Sequence, residues 1–284
     1  MALTFTSYKN QTNDVLQRGI VNTVARTSDL LAEIPVEKVD SLLYRYNTTD
    51  YNQTLSFVDA GEGFENTDVE AQAVILELKH MGTYADVPLQ MVRGGNVADL
   101  RANVTEVKTE NFAKNLEEKI FYADGTSKGF KGFDQFIKDG IATKLEKAIS
   151  YDALCEVVDA VPNASAIYMN RKTLRAVEKA IKTEGYTFGN VTTEGGKLVK
   201  AFNEVAIFPT ETIKDNEIFV LEYSTSGCGL LVCGDLINTT DMGLLENQPI
   251  YRTMIEGSYA PIVRQKGAIA KLEVPMLRDR KSVV

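Results

Sequence analysis

Asn96 to Tyr122 reads NVADLRANVTEVKTENFAKNLEEKIFY, the longest helical pattern in the chain, with neither Pro nor Gly inside it. Val97, Leu100, Val104 and Val107 recur at three-to-four spacing, and Phe112, Leu116 and Ile120 continue at four. One apolar stripe is therefore expected along the whole length. Asn96 can cap the start, with Asp99 three residues on, and Ala123-Asp124-Gly125 supplies the stop. At about 1.5 Å per residue such a helix is roughly 40 Å long, longer than most small domains are wide. An ordinary long core helix accounts for the spacing; a spine on which an elongated subunit is built is the sharper alternative.

On the N-terminal side, residues 1 to 11 are polar and aperiodic and read as an extended arm. A helix is expected from Asn13 to Glu33, with Leu16, Ile20 and Val24 on one stripe, weakened by Gly19 and closed by Pro35. After a transitional stretch from Asp40 to Tyr51, residues 51 to 82 read as two strands around an acidic, Gly-containing turn. In the second strand Val69, Ala71, Ala73 and Ile75 alternate against Glu70, Gln72, Val74 and Leu76. A two-stranded ribbon is marginal alone and needs a third surface to bury its apolar face. Gly61-Glu62-Gly63 begins like a dinucleotide fingerprint, but Asn66 stands where the third Gly belongs and no helix follows.

On the C-terminal side, Gly125 to Phe133 is rich in Gly and Lys. It lacks Gly-Lys-Ser/Thr and follows a helix, so it reads as a turn and not as a phosphate loop. From Ile149 the texture shortens. Tyr151 to Ala160 is helical, Ala166 to Met169 a buried strand, and Asn170 caps a helix through Ile181 with Leu174, Val177 and Ile181 inward. Thr183 to Gly196 reads as a loop. Strands follow at Glu204 to Phe208, Glu217 to Glu222 and Gly229 to Cys233, an α/β layer separate from the spine. Ile250 to Glu256, Ala260 to Arg264 and Ala268 to Val274 are again strand-like, and the tail from Met276 is basic.

The 284 residues, 44% hydrophobic and 25% charged, suit a soluble globular chain large enough for two modest cores or one discontinuous pair, and the net charge of −8 disfavours tight gripping of nucleic-acid phosphates. No stretch reaches the apolar length of a membrane span, and Met1 to Thr6 lacks the charged and apolar regions of an export signal, so a cytoplasmic chain is expected. Cys155, Cys228 and Cys233 read as reduced thiols; zinc wants four ligands, and the single His80 is distant in sequence. No catalytic, cofactor-binding or metal-binding residue emerges: His80 has no motif-placed nucleophile or acid beside it, and the carboxylates are spread along solvated faces. The balance favours a structural protein. An α/β enzyme with Thr183 to Gly196 as its lid is the competing class.

The order of elements resembles the major capsid proteins of tailed double-stranded DNA phages, the Hong Kong 97-like fold. Val58-Asp59-Ala60-Gly61-Glu62-Gly63 resembles the start of that family's extended loop. Tyr84-Ala85-Asp86-Val87-Pro88 is similar to the approach to its spine, and Phe121-Tyr122-Ala123-Asp124-Gly125 through Gly129-Phe130-Lys131-Gly132-Phe133 to the exit. Ala166-Ile167-Tyr168-Met169-Asn170-Arg171-Lys172 resembles its strand-then-helix unit, Val205 to Pro209 its short strand before a proline, and Arg264 to Ala270 its closing strand.

The resemblance implies an α+β fold with an N-arm at 1–46, an extended β-hairpin loop at 47–82, a peripheral domain at 83–148 and 241–284 containing the spine at 96–122, and an α/β axial domain at 149–240. It implies self-assembly as hexamers and pentamers into an icosahedral shell around packaged double-stranded DNA, without sequence-specific binding and without cofactors. An encapsulin-like shell enclosing a cargo enzyme is the neighbouring reading, and a ring- or tube-forming tail or adaptor protein a third. Some members cross-link subunits through a Lys in the extended loop, but none stands between Arg45 and Lys79, so non-covalent locking is expected. Others carry a scaffolding segment ahead of the N-arm; here a separate scaffolding protein, or none, is expected, with portal and decoration proteins as further partners.

Overall fold

The computed structural model describes residues 15–49, 71–94, 97–126, 128–193, 196–224 and 226–275. The first helical segment divides in two, α1 (Val15–Thr27) and α2 (Asp29–Glu33). Gly19 is not the break. Ser28 is: its backbone N–H still donates to Val24 at 3.1 Å, while its hydroxyl accepts the Leu31 N–H at 3.1 Å and so caps the next helix. The short strand β1 (Val36–Val39) follows. Ile20, Val21 and Val24 of α1 and Leu30 and Leu31 of α2 are all buried.

The ribbon is β2 (Leu43–Thr49) against β3 (Ala71–Glu77), antiparallel, with Tyr46 opposite Val74. Its first strand thus begins inside the stretch read as transitional. Residues 50–70, which carry the acidic turn and Val58 to Gly63, lie outside the described residues. Past Leu78 the chain leaves the ribbon for β4 (Lys79–Pro88), and α3 (Leu89–Gly94) leads to the spine.

The spine is α4 (Val97–Tyr122); Asn96, read as its cap, lies outside the described residues. The expected full-length stripe splits. Phe112, Leu116 and Ile120 are buried with Thr109, Ala113, Glu117 and Phe121, whereas Val107 is 56% exposed. The spine packs on β4 and α1, and its first half is anchored by Arg101, which pairs with Asp241 at 2.7 Å and stacks over Tyr251. After Tyr122 the Gly-rich segment folds back on the helix end: Gly125 adopts φ +70°, and a Cβ at Gly132 would stand 2.7 Å from the Ala123 nitrogen. The return seats Phe130 and Phe133, the latter opening α5 (Phe133–Lys138), in the core.

Two larger sheets complete the architecture. One has the order β1-β11-β12-β4, where β11 is Cys228–Leu244 and β12 is Ile250–Val263. Both strands are longer than their sequence patterns, because bulges near Cys233 to Asn238 and Asp241 to Gly243 interrupt the alternation of β11. Pro261 sits within β12 without penalty. It faces Leu230, whose N–H donates instead to Pro35, and β4 pairs no further along β12 than Tyr259, so no partner needs the missing donor.

The second sheet has the order β5-β13-β10-β6-β9-β8-β7. Its strands are β5 (Thr143–Glu146), β6 (Ala166–Met169), β7 (Gly189–Thr192), β8 (Leu198–Phe202), β9 (Val205–Pro209), β10 (Glu217–Leu221) and β13 (Ile269–Glu273). Against it pack α6 (Tyr151–Asp159), capped by Ser150, and α7 (Arg171–Thr183), capped by Asn170. β7 lies inside the stretch read wholly as loop, and β5 and β13, which the resemblance places with the spine, are strands of this sheet. Both faces are covered: Ala166, Tyr168, Phe219 and Leu221 join the core beneath the spine, while Ile167, Met169, Ile218 and Val220 join a second core under α6 and α7. That is why β6 reads as an unbroken apolar run.

Candidate functional site

Among the described residues no three His, Cys, Asp or Glu side chains converge as metal ligands. Cys228 and Cys233 lie along one strand, and Cys228 donates from its buried thiol to the Ala268 carbonyl at 3.4 Å. Burial pushes that thiol well above the ordinary range. His80 sits on β4 with Glu256 at 3.2 Å and Ser258 at 3.3 Å, an ordinary cross-strand cluster. The features that ask for partners are surfaces.

The ribbon is the clearest. Tyr44, Tyr46, Val74 and Leu76 turn inward, and the Tyr46 hydroxyl donates to the Val263 carbonyl at 3.1 Å. Burial raises Tyr46 to about 12, against the opposing pull of Arg264. Arg264 also pairs with Glu37 and donates to the Tyr44 hydroxyl at 3.3 Å, so the base of the ribbon is clamped to the strands beneath it. Leu43, Arg45, Ile75 and Glu77 face outward, with Leu43 62% and Ile75 68% exposed. The sequence alternation grouped Ile75 with the apolar face and Leu76 with the polar one. The structure reverses them by one residue, and a slip of one moves every side chain to the other face. The signal that decides the register is Tyr44-x-Tyr46 on the partner strand, whose rings stack 6.4 Å apart over the core.

A second surface is the solvent face of the β11-β12-β4 sheet. Arg252 makes two bonds of 2.7 Å to Asp86 and lies 4.5 Å over the Tyr84 ring. The bidentate bond holds the Asp86 carboxyl below its usual range. Against the other sheet, Tyr151 and Tyr186 stack at 4.0 Å, with the Phe202 ring 5.4 Å from Tyr151. Neither pair was visible as a feature in the sequence, since each joins residues far apart in the chain.

The fold has close structural neighbours. The holo-SrpI encapsulin complex of Synechococcus elongatus matches at a TM-score of 0.71 and 15% identity, covering 92% of this chain and 95% of that chain. A chain of Microbacterium phage Oxtober96 matches at 0.68 and 10% identity, covering 87% and 91%. The capsid of an empty GTA particle matches at 0.65 and 16% identity, covering 87% and 90%. No curated protein matches the sequence.

Long spine, clamped ribbon and two-cored sheet together define a subunit of Hong Kong 97-like, α+β architecture, the fold of shell-forming proteins. The phage capsid family pattern matches residues 12–220, and the chain belongs to that family. It is a structural capsid protein, not an enzyme, and the reading of Thr183 to Gly196 as an enzyme's lid is withdrawn.

Proposed function

We propose that copies of this chain assemble as hexamers and pentamers into a closed icosahedral shell around packaged double-stranded DNA, inside the host bacterial cytoplasm. The observation that carries this is the capsid-family match joined to a ribbon whose outer face leaves Leu43 and Ile75 in water. An apolar face left exposed on a single subunit is worth burying on a neighbour. The division into N-arm 1–46, extended loop 47–82, peripheral domain 83–148 with 241–284, and axial domain 149–240 is part of the proposal. Portal and decoration proteins, and a scaffolding protein if one is used, are the shell's further partners. A net charge of −8 suits a wall that encloses DNA without gripping it.

The test is electron microscopy and size-exclusion chromatography of the chain expressed alone, then beside a co-expressed scaffold. Closed shells or capsomer rings support the reading, and a monomer under both conditions sinks it. A double Leu43→Asp, Ile75→Asp variant is expected to keep the monomer's thermal midpoint within a few degrees, because both side chains are already solvated, while shell yield falls at least tenfold. With no Lys between Arg45 and Lys79, shells boiled in reducing denaturant should run as a single monomer band. A ladder of covalent multimers would refute that.

The likeness to an encapsulin over 92% of this chain favours one second reading, a shell around a protein cargo. The absorbance ratio of purified native shells separates the two, being nucleic-acid-like in one case and protein-like in the other.

A further inference from the structure

Inside the apolar face of α4 sits a carboxylic acid. Glu117 is 3% exposed. Its Oε1 accepts hydrogen bonds from the hydroxyls of Thr210 and, at 2.8 Å, Thr212, both just past β9. The Thr212 N–H in turn donates to the Thr210 hydroxyl at 3.3 Å, fixing how that hydroxyl points. The Ser28 hydroxyl, at the junction of α1 and α2, bonds the same carboxyl. One side chain thus ties three distant segments: the N-terminal helices, the spine and the strand end of the seven-stranded sheet.

A cavity of about 270 Å³ opens beside it, lined by Arg26, Lys114, Arg171 and Lys197 together with Asp29 and Glu211. Two of these cations are committed to other acids, Lys197 to Asp29 at 2.7 Å and Arg26 to Glu106 at 2.9 Å. Among the described residues no ion pair reaches Glu117; the hydroxyls of Tyr168 and Tyr223 are pushed up chiefly by burial, with Glu117 adding to the rise.

We propose that Glu117 is a proton-operated latch: uncharged, it holds α1 and α2 against the spine, and ionised, it draws water through the cavity and loosens them. Burial is the largest influence on this acid and pushes it up; the three hydroxyls pull the other way, and nearby Asp29 pushes up again, leaving a net rise. The sign follows. A carboxyl raised above its unfolded value of 4.5 stabilises the folded form below that pH, and the contribution is lost as pH rises through the folded value.

The test is hydrogen–deuterium exchange of the full chain from pH 4.5 to 8, corrected for intrinsic rates. Protection of α1–α2 amides should fall as pH rises, by about tenfold for each unit that the acid is raised, while β10 amides stay level. In Glu117→Gln, which keeps the size and cannot ionise, the α1–α2 curve should be flat. An unchanged slope in that variant, or a flat wild type, overturns the latch. Should Glu117→Gln fail to fold, Thr212→Val removes one hydroxyl that favours the charged form and should move the wild-type midpoint to higher pH; an unmoved midpoint rejects the proposal.

Discussion

Phe121→Ala is expected to destabilise the unassembled chain by about 3–5 kcal/mol, read from urea denaturation. The ring lies where the spine ends on the seven-stranded sheet, and it is wholly buried. Phe219 stands 5.1 Å away, Tyr168 5.8 Å and Phe133 5.9 Å, all at tilted or edge-on angles. Those three belong to β10, β6 and α5, elements whose backbones are held by their own hydrogen bonds, so the space left by the ring has little freedom to close. The cost of such a cavity depends on how well its walls collapse, and here two of them are strands paired in register. A loss below about 1 kcal/mol would mean that the spine and sheet are packed independently.

Lys271→Met should cost a similar amount, about 3–5 kcal/mol near neutral pH, for an electrostatic reason. The ammonium is buried on β13, 2.7 Å from Asp134 and 3.0 Å from Glu217, and 5.3 Å from the Phe219 ring. Glu217 also accepts the Tyr122 hydroxyl at 2.6 Å, which brings the end of the spine into the cluster. Methionine fills the volume and leaves two carboxylates facing each other with their shared cation gone. Burial alone would raise Asp134, but its bonds to Lys138 and Lys271 outweigh it and hold the carboxyl below its ordinary value of 3.8. A depressed carboxyl contributes stability above its unfolded value, and that is lost as pH falls through the folded one. The gap between wild type and variant should therefore be widest near neutrality and close as pH drops below 3.8. A gap independent of pH would count against the ion cluster as its cause.

The parts of this fold that could be read in the sequence are those decided locally. Freedom from Pro and Gly and a three-to-four apolar repeat placed the spine within a residue of its observed start, and Asp124-Gly125 its stop. Asn170 caps its helix through its own side chain, a contact spanning two residues. What stayed hidden depends on partners far along the chain. Ile75 and Leu76 have nearly equal apolar character, and only Tyr44 and Tyr46 on the opposite strand determine which points inward. Strand β13 looks like its neighbours in sequence, yet its place is set by β10 on one side and β5 on the other. Glu117 reads as one more solvated acid on a charged helix; its burial comes from Ser28 and Thr210 closing over it. The ribbon was legible as an element needing cover, but not down to the side chains it leaves exposed.

The parallel pairing of β1 with β11 sets Val36 against Leu230 and Val39 against Cys233. During synthesis this means that the strand following the N-terminal helices has no partner until some 190 further residues have left the ribosome. At about 5–20 residues per second the wait is roughly 10–40 s. Throughout it, Ile20, Val21 and Val24 lack the β11 strand on which α1 packs. A nascent chain therefore carries an uncovered apolar helix face through most of its synthesis, while neighbouring ribosomes on the same message are producing identical copies.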